Sequence, residues 1–600
     1  MKRNVYFFQY NYPLGFGKYR TYWLPYAVAR LWSYAKSFSD ISNNWHSPEI
    51  LFERVKDIEA VVNSLDNPAV AAFSWYAWNR SYTLAVAKKI AETYPDCTII
   101  FGGPEVPEHT SRVSKFYEQY GDIVDYTFHG EGEITFANFL RFLDGNLSEL
   151  PKGITHKGDT TSVVGERVLD LSTLVSPHAV LEDIVTSRPD TQFSATLETN
   201  RGCPYACTFC DWGSLTYAKV KKFPDDVVYK ELEWLSEHKI AYVGLADANF
   251  GIFKERDFDI LRKMVEVKER NGYPDAYSIT WQKNSTDHTI EMIKYLNDND
   301  LARGLTLSAQ SMTDEVLENI KRKNLAINKY SEILAKCNME NVLTYSELII
   351  GMPGETLESW NTGITTLLEA GQHTHLEFWL CQMLENAEMN SDNEQIRYGI
   401  ETTYLHDYLG NATNDGYPEG MRVISSTNTM SNDDLIDGYM FGWLISSFHL
   451  HGWTQIISRW NRLTNDVSYK TFYDDFLAFI LEDEFLSVFY SDQRNKIQQT
   501  FANGKAPDNE SYGITWISDY QRYLHRNRDK VFAKIEEFVI KHPTLKLDED
   551  VLRFTKRYVT NWHEREPTTE TFDTPIWHYI NGQDAVSYTH LRAHETGRNL

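Results

Sequence analysis

The chain has 600 residues, 42% of them hydrophobic and 24% charged, with a formal net charge of −25. That length calls for roughly three or four domains, and so acidic a field argues against a broad nucleic-acid surface. No run of about 18 uninterrupted apolar residues appears, and the start lacks an apolar signal core with a cleavage site, so no membrane contact is expected and the chain reads as cytoplasmic, with reduced thiols.

Residues 1–145 alternate β-rich and helical stretches. Segments 5–10, 69–75, 98–101 and 123–128 predict strands, and 25–36, 82–93 and 134–143 predict helices. That rhythm argues for a doubly wound, Rossmann-like parallel sheet, whose ligands sit beyond the carboxyl ends of the strands. Residues 146–192 are turn-rich and read as a linker. Residues 193–390 alternate about six times more, with strands expected at 195–200, 241–246, 276–281, 304–309, 343–350 and 376–381. Six such units predict a partial (β/α)6 barrel with its site at the strand carboxyl ends. Residues 391–584 lose the rhythm and read as a mostly helical C-terminal domain rich in aromatic residues. The aromatic stripe at 437–460 reads first as core packing and second as a lid over a substrate. The tail Val586–Thr596, VSYTHLRAHET, resembles a translated transposase-type sequencing adapter, so residues 585–600 are left out of the fold reading. The expected class is therefore α/β, with three domains in series.

Six cysteines are present, and three of them crowd into eight residues: Gly202-Cys203-Pro-Tyr-Ala-Cys207-Thr-Phe-Cys210. Cys97, Cys337 and Cys381 are scattered and read as buried small hydrophobes. Thiolates hold iron in iron–sulfur clusters. Three cysteines on a four-iron cluster leave one iron open to a ligand. Structural zinc wants four ligands, commonly in paired CxxC spacing, and no fourth Cys or nearby His is offered. Gly202 and Pro204 suit a tight loop around a cluster.

The spacing CxxxCxxC, with Phe209 before the last Cys, resembles the signature of the radical S-adenosylmethionine (SAM) superfamily. The resemblance spans residues 193–390 and implies a [4Fe-4S] cluster on Cys203, Cys207 and Cys210. It implies SAM contacts at Phe209, at Asp247 and Asn249 after the second strand, and at Lys283 and Asn284 after the third. It extends to Ser308 and Gln310 after the fourth, and to Glu347 and Gly351 in the motif Glu347-Leu-Ile-Ile-Gly351-Met-Pro-Gly-Glu355. Each polar residue alone is as well read as a strand-end cap.

Residues 1–145 resemble the cobalamin-binding domain that precedes the core in class B radical SAM enzymes. The matching pieces are Leu24-Pro-Tyr-Ala-Val28, Phe73-Ser-Trp-Tyr-Ala-Trp-Asn79, Phe101-Gly-Gly-Pro-Glu105 and Gly130-Glu-Gly-Glu133. The resemblance implies cobalamin contacts at Ser74, Trp75, Tyr76, Asn79, Gly102, Gly103 and Glu131. Gly102 and Gly103 would let backbone approach the flat corrin. A plain doubly wound domain for another nucleotide is the competing reading. The motif DxHxxG, whose His ligates cobalt in many cobalamin domains, is absent, so Trp75, Tyr76 or a water is expected on the lower face of the corrin.

Taken together, the resemblance implies a cobalamin-dependent methyltransferase that uses a 5′-deoxyadenosyl radical and methylcobalamin on an unactivated carbon or phosphorus centre. It implies a small-molecule or peptide substrate and an electron donor such as flavodoxin or ferredoxin. Rearrangement or cyclisation without methyl transfer needs the same motifs and stays open, as does a non-catalytic cobalamin-binding sensor.

Overall fold

The computed structural model describes residues 2–16, 19–211, 219–283, 287–301, 304–406, 415–505, 517–561, 571–574 and 576. The adapter-like tail lies outside the described residues. The chain forms two compact units: Met1–Leu305 with Ile320–Lys323 and Gln382–Ile424, and Thr306–Asn319 with Asn324–Cys381 and Ser425–Leu600.

In the first unit the strand Arg3–Asn11 is buried on both faces, as an inner strand of a parallel sheet should be. It pairs in parallel with Pro68–Ser74, which pairs with Thr98–Gly102, which pairs with Tyr126–Phe128. Helices Tyr26–Lys36, Arg80–Thr93, Thr110–Tyr120 and Gly132–Leu143 alternate with these strands. Phe8 stacks on Phe73 at 4.4 Å between ring centroids, and Tyr10 meets Tyr82 edge-on at 4.6 Å. This is the expected doubly wound sheet, with additions that include strands Trp45–His46 and Ile50–Glu53, each parallel to Arg3–Asn11. Helix Thr110–Tyr120 was not read from the sequence, although Val113, Phe116 and Tyr117 bury one face at helical spacing. The strand Ile154–His156 joins the far edge antiparallel, and helix His178–Thr186 follows it. Both fall in the stretch read as an irregular linker, where a three-residue strand is too short to show a period.

A second sheet of this unit runs in the order Ala276–Ser278, Tyr242–Leu245, Gln192–Leu197, Tyr19–Trp23, Pro13–Phe16. Its outer hairpin comes from the start of the chain, with Tyr19–Trp23 parallel to Gln192–Leu197. Local pattern could not reveal that pairing, because its partners are separated by most of the first domain. Helix Asp225–Glu237 lies where the sequence puts it. Asn200–Arg201 and Lys221–Lys222 pair antiparallel, so the cysteine segment leaves and returns through one short ladder.

A three-stranded sheet at the start of the second unit runs in the order Leu305–Thr306, Thr344–Ile350, Leu376–Leu380. Thr344–Ile350 and Leu376–Leu380 are parallel. Helices then dominate, from Asn432–Leu444 to Glu549–Asn561. Ser431 and Asp434 form a reciprocal cap at the first of these, which fixes its start. The aromatic stripe is core: Tyr439, Phe441, Trp443 and Phe448 are all buried. Gly438 lets this helix approach closely, since an added Cβ would meet Ile350 Cδ1 at 2.8 Å, and Trp360 Nε1 donates to Gly438 O at 2.7 Å. His449 contacts Tyr473 OH at 2.6 Å and His373 Nδ1 at 3.0 Å.

Residues 391–424 depart from the mostly helical character expected of the C-terminal region. Glu401–His406 and Gly420–Ser426 form a two-stranded sheet, and the stretch up to Ile424 belongs to the first unit. Arg54 there holds Asp415 and Glu419 at 2.8 and 2.9 Å. No described helix is long and apolar enough to cross a membrane.

Candidate functional site

The cysteine loop begins where strand Gln192–Leu197 ends. Asp247, 0% exposed, accepts from the backbone N–H groups of Thr199 and Asn200, both at 2.9 Å, and from Thr199 Oγ1 at 2.5 Å. Burial pushes Asp247 up to about 7, against these three donors, which favour the carboxylate. Asp247, expected at SAM, thus also braces the entry to the loop. Gly202 then adopts φ +116°, a conformation that side chains rarely tolerate. Thr208 N donates to Ile320 O at 3.1 Å, and Thr208 O accepts from Met389 N at 2.8 Å. The loop is thus fixed from three sides.

Cys203 and Cys207 are buried, and Cys210 and Phe209 are partly exposed. Asn249 Nδ2 donates to Cys203 Sγ at 3.4 Å, and Lys283 Nζ donates to Cys207 Sγ at 3.0 Å while lying over the Tyr205 ring at 4.4 Å. Burial pushes the Cys210 thiol up to about 11, Cys207 adding to the shift and Lys283 opposing it. Trp212, Gly213 and Asn284 lie outside the described residues.

This donor set fits an iron–sulfur cluster. Among the described residues, no three His, Cys, Asp or Glu side chains converge on a single-ion site. In a four-iron cluster each thiolate holds a different iron, so the sulfurs stay apart, unlike the ligands of one zinc. A cation and an amide donor on the sulfurs favour the charged thiolates. Asn249 Oδ1 is buried without a hydrogen-bond partner beside Cys203, an acceptor left for the N–H of a ligand. Cys97, Cys337 and Cys381 are buried elsewhere, as expected of small hydrophobes.

The remaining SAM candidates lie together in the second unit. Ser308 Oγ donates to Glu347 Oε2 at 2.6 Å. Gln310 takes φ +68°, strained for a non-glycine residue, and is locked by Gln310 N to Glu347 O and Ile349 N to Gln310 O, both 2.8 Å. Gly351 has φ +93°. Glu355 closes the same turn by accepting from Ser311 at 2.7 Å and Thr313 at 2.9 Å.

At the edge of the N-terminal sheet, four of the residues expected at cobalamin also hold the protein's own structure. Trp75 is 1% exposed, packed at 5.3 Å against Phe101 and 5.6 Å against Phe116. Strand alternation sends it to the same side as Phe73. Asn79 is 0% exposed; it donates to Tyr10 O and Ser74 O at 3.1 and 3.0 Å and accepts from Tyr76 N at 2.9 Å. Glu131 accepts from Arg167 Nε at 2.8 Å and Val168 N at 2.9 Å. Gly103, at φ +109°, is required by Trp75, whose O an added Cβ would meet at 2.7 Å. Gly103→Ala is therefore expected to destabilise the protein by about 1–3 kcal/mol, read as a lowered denaturation midpoint; an unchanged midpoint would show that the turn relaxes freely.

Ser74, Tyr76 and Gly102 remain at that edge, joined by a residue the sequence reading passed over. Trp78 is 37% exposed and stacks on Tyr76 at 4.3 Å and 16°. Its signal was present, since an apolar ring in a polar turn past a strand end has no core to join.

The ion-pair network that includes Glu131 was also unforeseen. Arg201, two residues before Cys203, pairs with Glu198 at 2.8 Å, Glu133 at 2.9 Å and Glu131 at 3.4 Å. Arg30 continues it to Glu231 at 3.4 Å.

Residues 197–363 match the model of the Radical SAM superfamily. The chain is similar to the cobalamin-dependent radical SAM methyltransferase TokK of Streptomyces tokunonensis, 34% identical over 79% of this chain and 69% of that one. It is similar also to the 2-(S-pantetheinyl)-carbapenam-3-carboxylate methyltransferase of Streptantibioticus cattleyicolor, 33% identical over 75% of this chain and 67% of that one. In fold it resembles the cobalamin-dependent SAM radical enzyme OxsB, with a TM-score of 0.55 at 14% identity over 93% of this chain and 84% of that one. Similarity at this level over three quarters of the chain, together with a braced cysteine triplet behind a doubly wound domain, settles the assignment: the chain belongs to the cobalamin-dependent radical SAM methyltransferases.

Proposed function

We propose that this enzyme methylates an unactivated carbon of a small, carboxylate-bearing molecule of the kind named for its carbapenam-methylating relative. The observation that carries the reading is the cysteine loop, with Asn249 and Lys283 on two of its sulfurs. Bound here, an open-iron cluster supplies the electron that cleaves SAM, and cobalamin supplies the methyl group.

The chain's own residues have separable tasks. Cys203, Cys207 and Cys210 hold iron, and Lys283 offsets thiolate charge. Asn249 Oδ1 accepts from the amino group of SAM. Ser308 and Gln310 serve its ribose or carboxylate, Glu347 and Gly351 belong to the motif beside its adenine, and Phe209 contacts SAM. Tyr76 and Trp78 present flat aromatic surface to the corrin, with Ser74 and Gly102 beside them. A small electron-transfer protein such as flavodoxin or ferredoxin would supply the reducing electron.

The test uses SAM labelled in its methyl group, a reductant and 2-(S-pantetheinyl)-carbapenam-3-carboxylate. Methyl transfer should yield 5′-deoxyadenosine and S-adenosylhomocysteine in near-equal amounts, with label in the product. 5′-Deoxyadenosine with an unlabelled product would replace this reading by rearrangement or cyclisation.

A further inference from the structure

Three arginines of the first unit, Arg80, Arg112 and Arg422, lie within electrostatic reach of Glu105 and Glu385. Arg80 opens the helix behind Trp78, and Glu105 follows Gly102–Gly103. Arg422 comes from strand Gly420–Ser426, far along the chain.

Their pairing is uneven. Arg112 donates to both oxygens of Glu385 at 2.9 and 3.0 Å, and to Asn390 Oδ1 at 2.7 Å. Arg80 approaches Glu105 only at 3.7 Å. Arg422 donates to the same Asn390 oxygen, and among the described residues it has no carboxylate at ion-pair distance. An arginine does not shed its charge by deprotonation. Burial, followed by repulsion from Arg112, pushes Arg422 down to about 10. Burial also pushes Glu105 up to about 7, so its carboxylate compensates weakly. In an acidic chain, a largely buried guanidinium facing two others calls for an anionic ligand.

Location narrows the ligand. Asn386 donates to Pro104 O at 3.0 Å and Val106 O at 2.8 Å, behind Gly102–Gly103. Its backbone N–H reaches Asp211, next to Cys210, at 3.3 Å. The segment carrying Glu385 and Asn390 therefore joins the corrin-facing edge to the cysteine loop, the gap in which a substrate of both cofactors must lie.

We propose that Arg422 and Arg80 form a subsite for the carboxylate of the substrate. This rests on the methyl-transfer reading above and adds what anchors the substrate. The source of the anion is taken to be the substrate, not the phosphodiester of cobalamin.

The experiment uses enzyme loaded with cluster and cobalamin, titrated with 2-(S-pantetheinyl)-carbapenam-3-carboxylate and with its 3-carboxamide. Wild type should prefer the acid by about tenfold or more, the value of a charge-assisted pair. Arg422→Gln should bind the two within about twofold of each other, with Arg422→Lys between, since a point charge replaces part of the fork. Cobalamin content, read from visible absorbance, should match wild type in each variant. Arg80→Gln gives an independent reading if the first variant folds poorly, and should also narrow the preference. Undiminished preference in the glutamine variants overturns the proposal, as does equal or absent binding of acid and amide by wild type. Loss of cobalamin in Arg422→Gln would assign the anion to the cofactor. Failure of methyl transfer is scored separately, by label from SAM, and leaves the affinity ratio readable.

Discussion

Replacing Cys203, Cys207 and Cys210 together by Ala should bring formation of 5′-deoxyadenosine to the no-enzyme background. Anaerobically reconstituted wild type should hold about four irons per chain with broad visible absorption, and the triple variant none. The effect is large because nothing near the loop can substitute: among the described residues no other trio of metal-ligating side chains is gathered, and the remaining cysteines are buried elsewhere. Replacing Cys97, Cys337 or Cys381 should leave iron content unchanged. The fold should survive the triple change, since the loop is held by Asp247, Gly202 and Thr208 rather than by the thiols. Normal SAM cleavage by the triple variant would end the radical SAM assignment for this loop.

Legibility followed the range of the interactions. The doubly wound sheet was readable because its inner strands are continuous apolar runs, such as Val5-Tyr-Phe-Phe. The hairpin of Pro13–Phe16 and Tyr19–Trp23 was not, because its partner strand begins at Gln192. The cysteine loop was readable because its spacing is local chemistry, and Asn249 and Lys283 followed from their places after strands. The structural roles of Asp247, Trp75, Asn79 and Glu131 were not legible, for one reason. A residue at a strand end faces either the ligand or the body of the protein, and only tertiary packing decides which. Arg422 gave no sequence signal, because its meaning comes from Arg80 and Glu105, more than three hundred positions away.

The buried network under the cysteine loop carries the other large effect. Arg201→Met should destabilise the protein by about 3–5 kcal/mol, the cost of leaving buried carboxylates without their cation. Arg201 is 8% exposed, Glu131 and Glu133 each 5% and Glu198 14%, so water cannot take over its role. In wild type, burial acts to raise Glu198, and the charges of Arg201 and Arg30 outweigh it, so its pKa falls below 4.5. A depressed carboxylate contributes stability that is present above its unfolded pKa and lost as pH falls through the folded value. Wild type should therefore lose this contribution only in acid. In Arg201→Met the sign reverses: burial without the cation raises the carboxylates, so the variant should gain stability as pH is lowered towards 5 while wild type does not. Adding Glu133→Gln to Arg201→Met should recover part of the loss, because one uncompensated charge is removed. Iron content should drop with stability, since Arg201 anchors the strand Asn200–Arg201 that leads into Gly202 and Cys203. Denaturation midpoints at pH 5 and pH 8 for the three proteins decide the matter. If Arg201→Met melts with wild type at both, the network is incidental, and the cysteine loop owes its position to Asp247, Gly202 and Thr208.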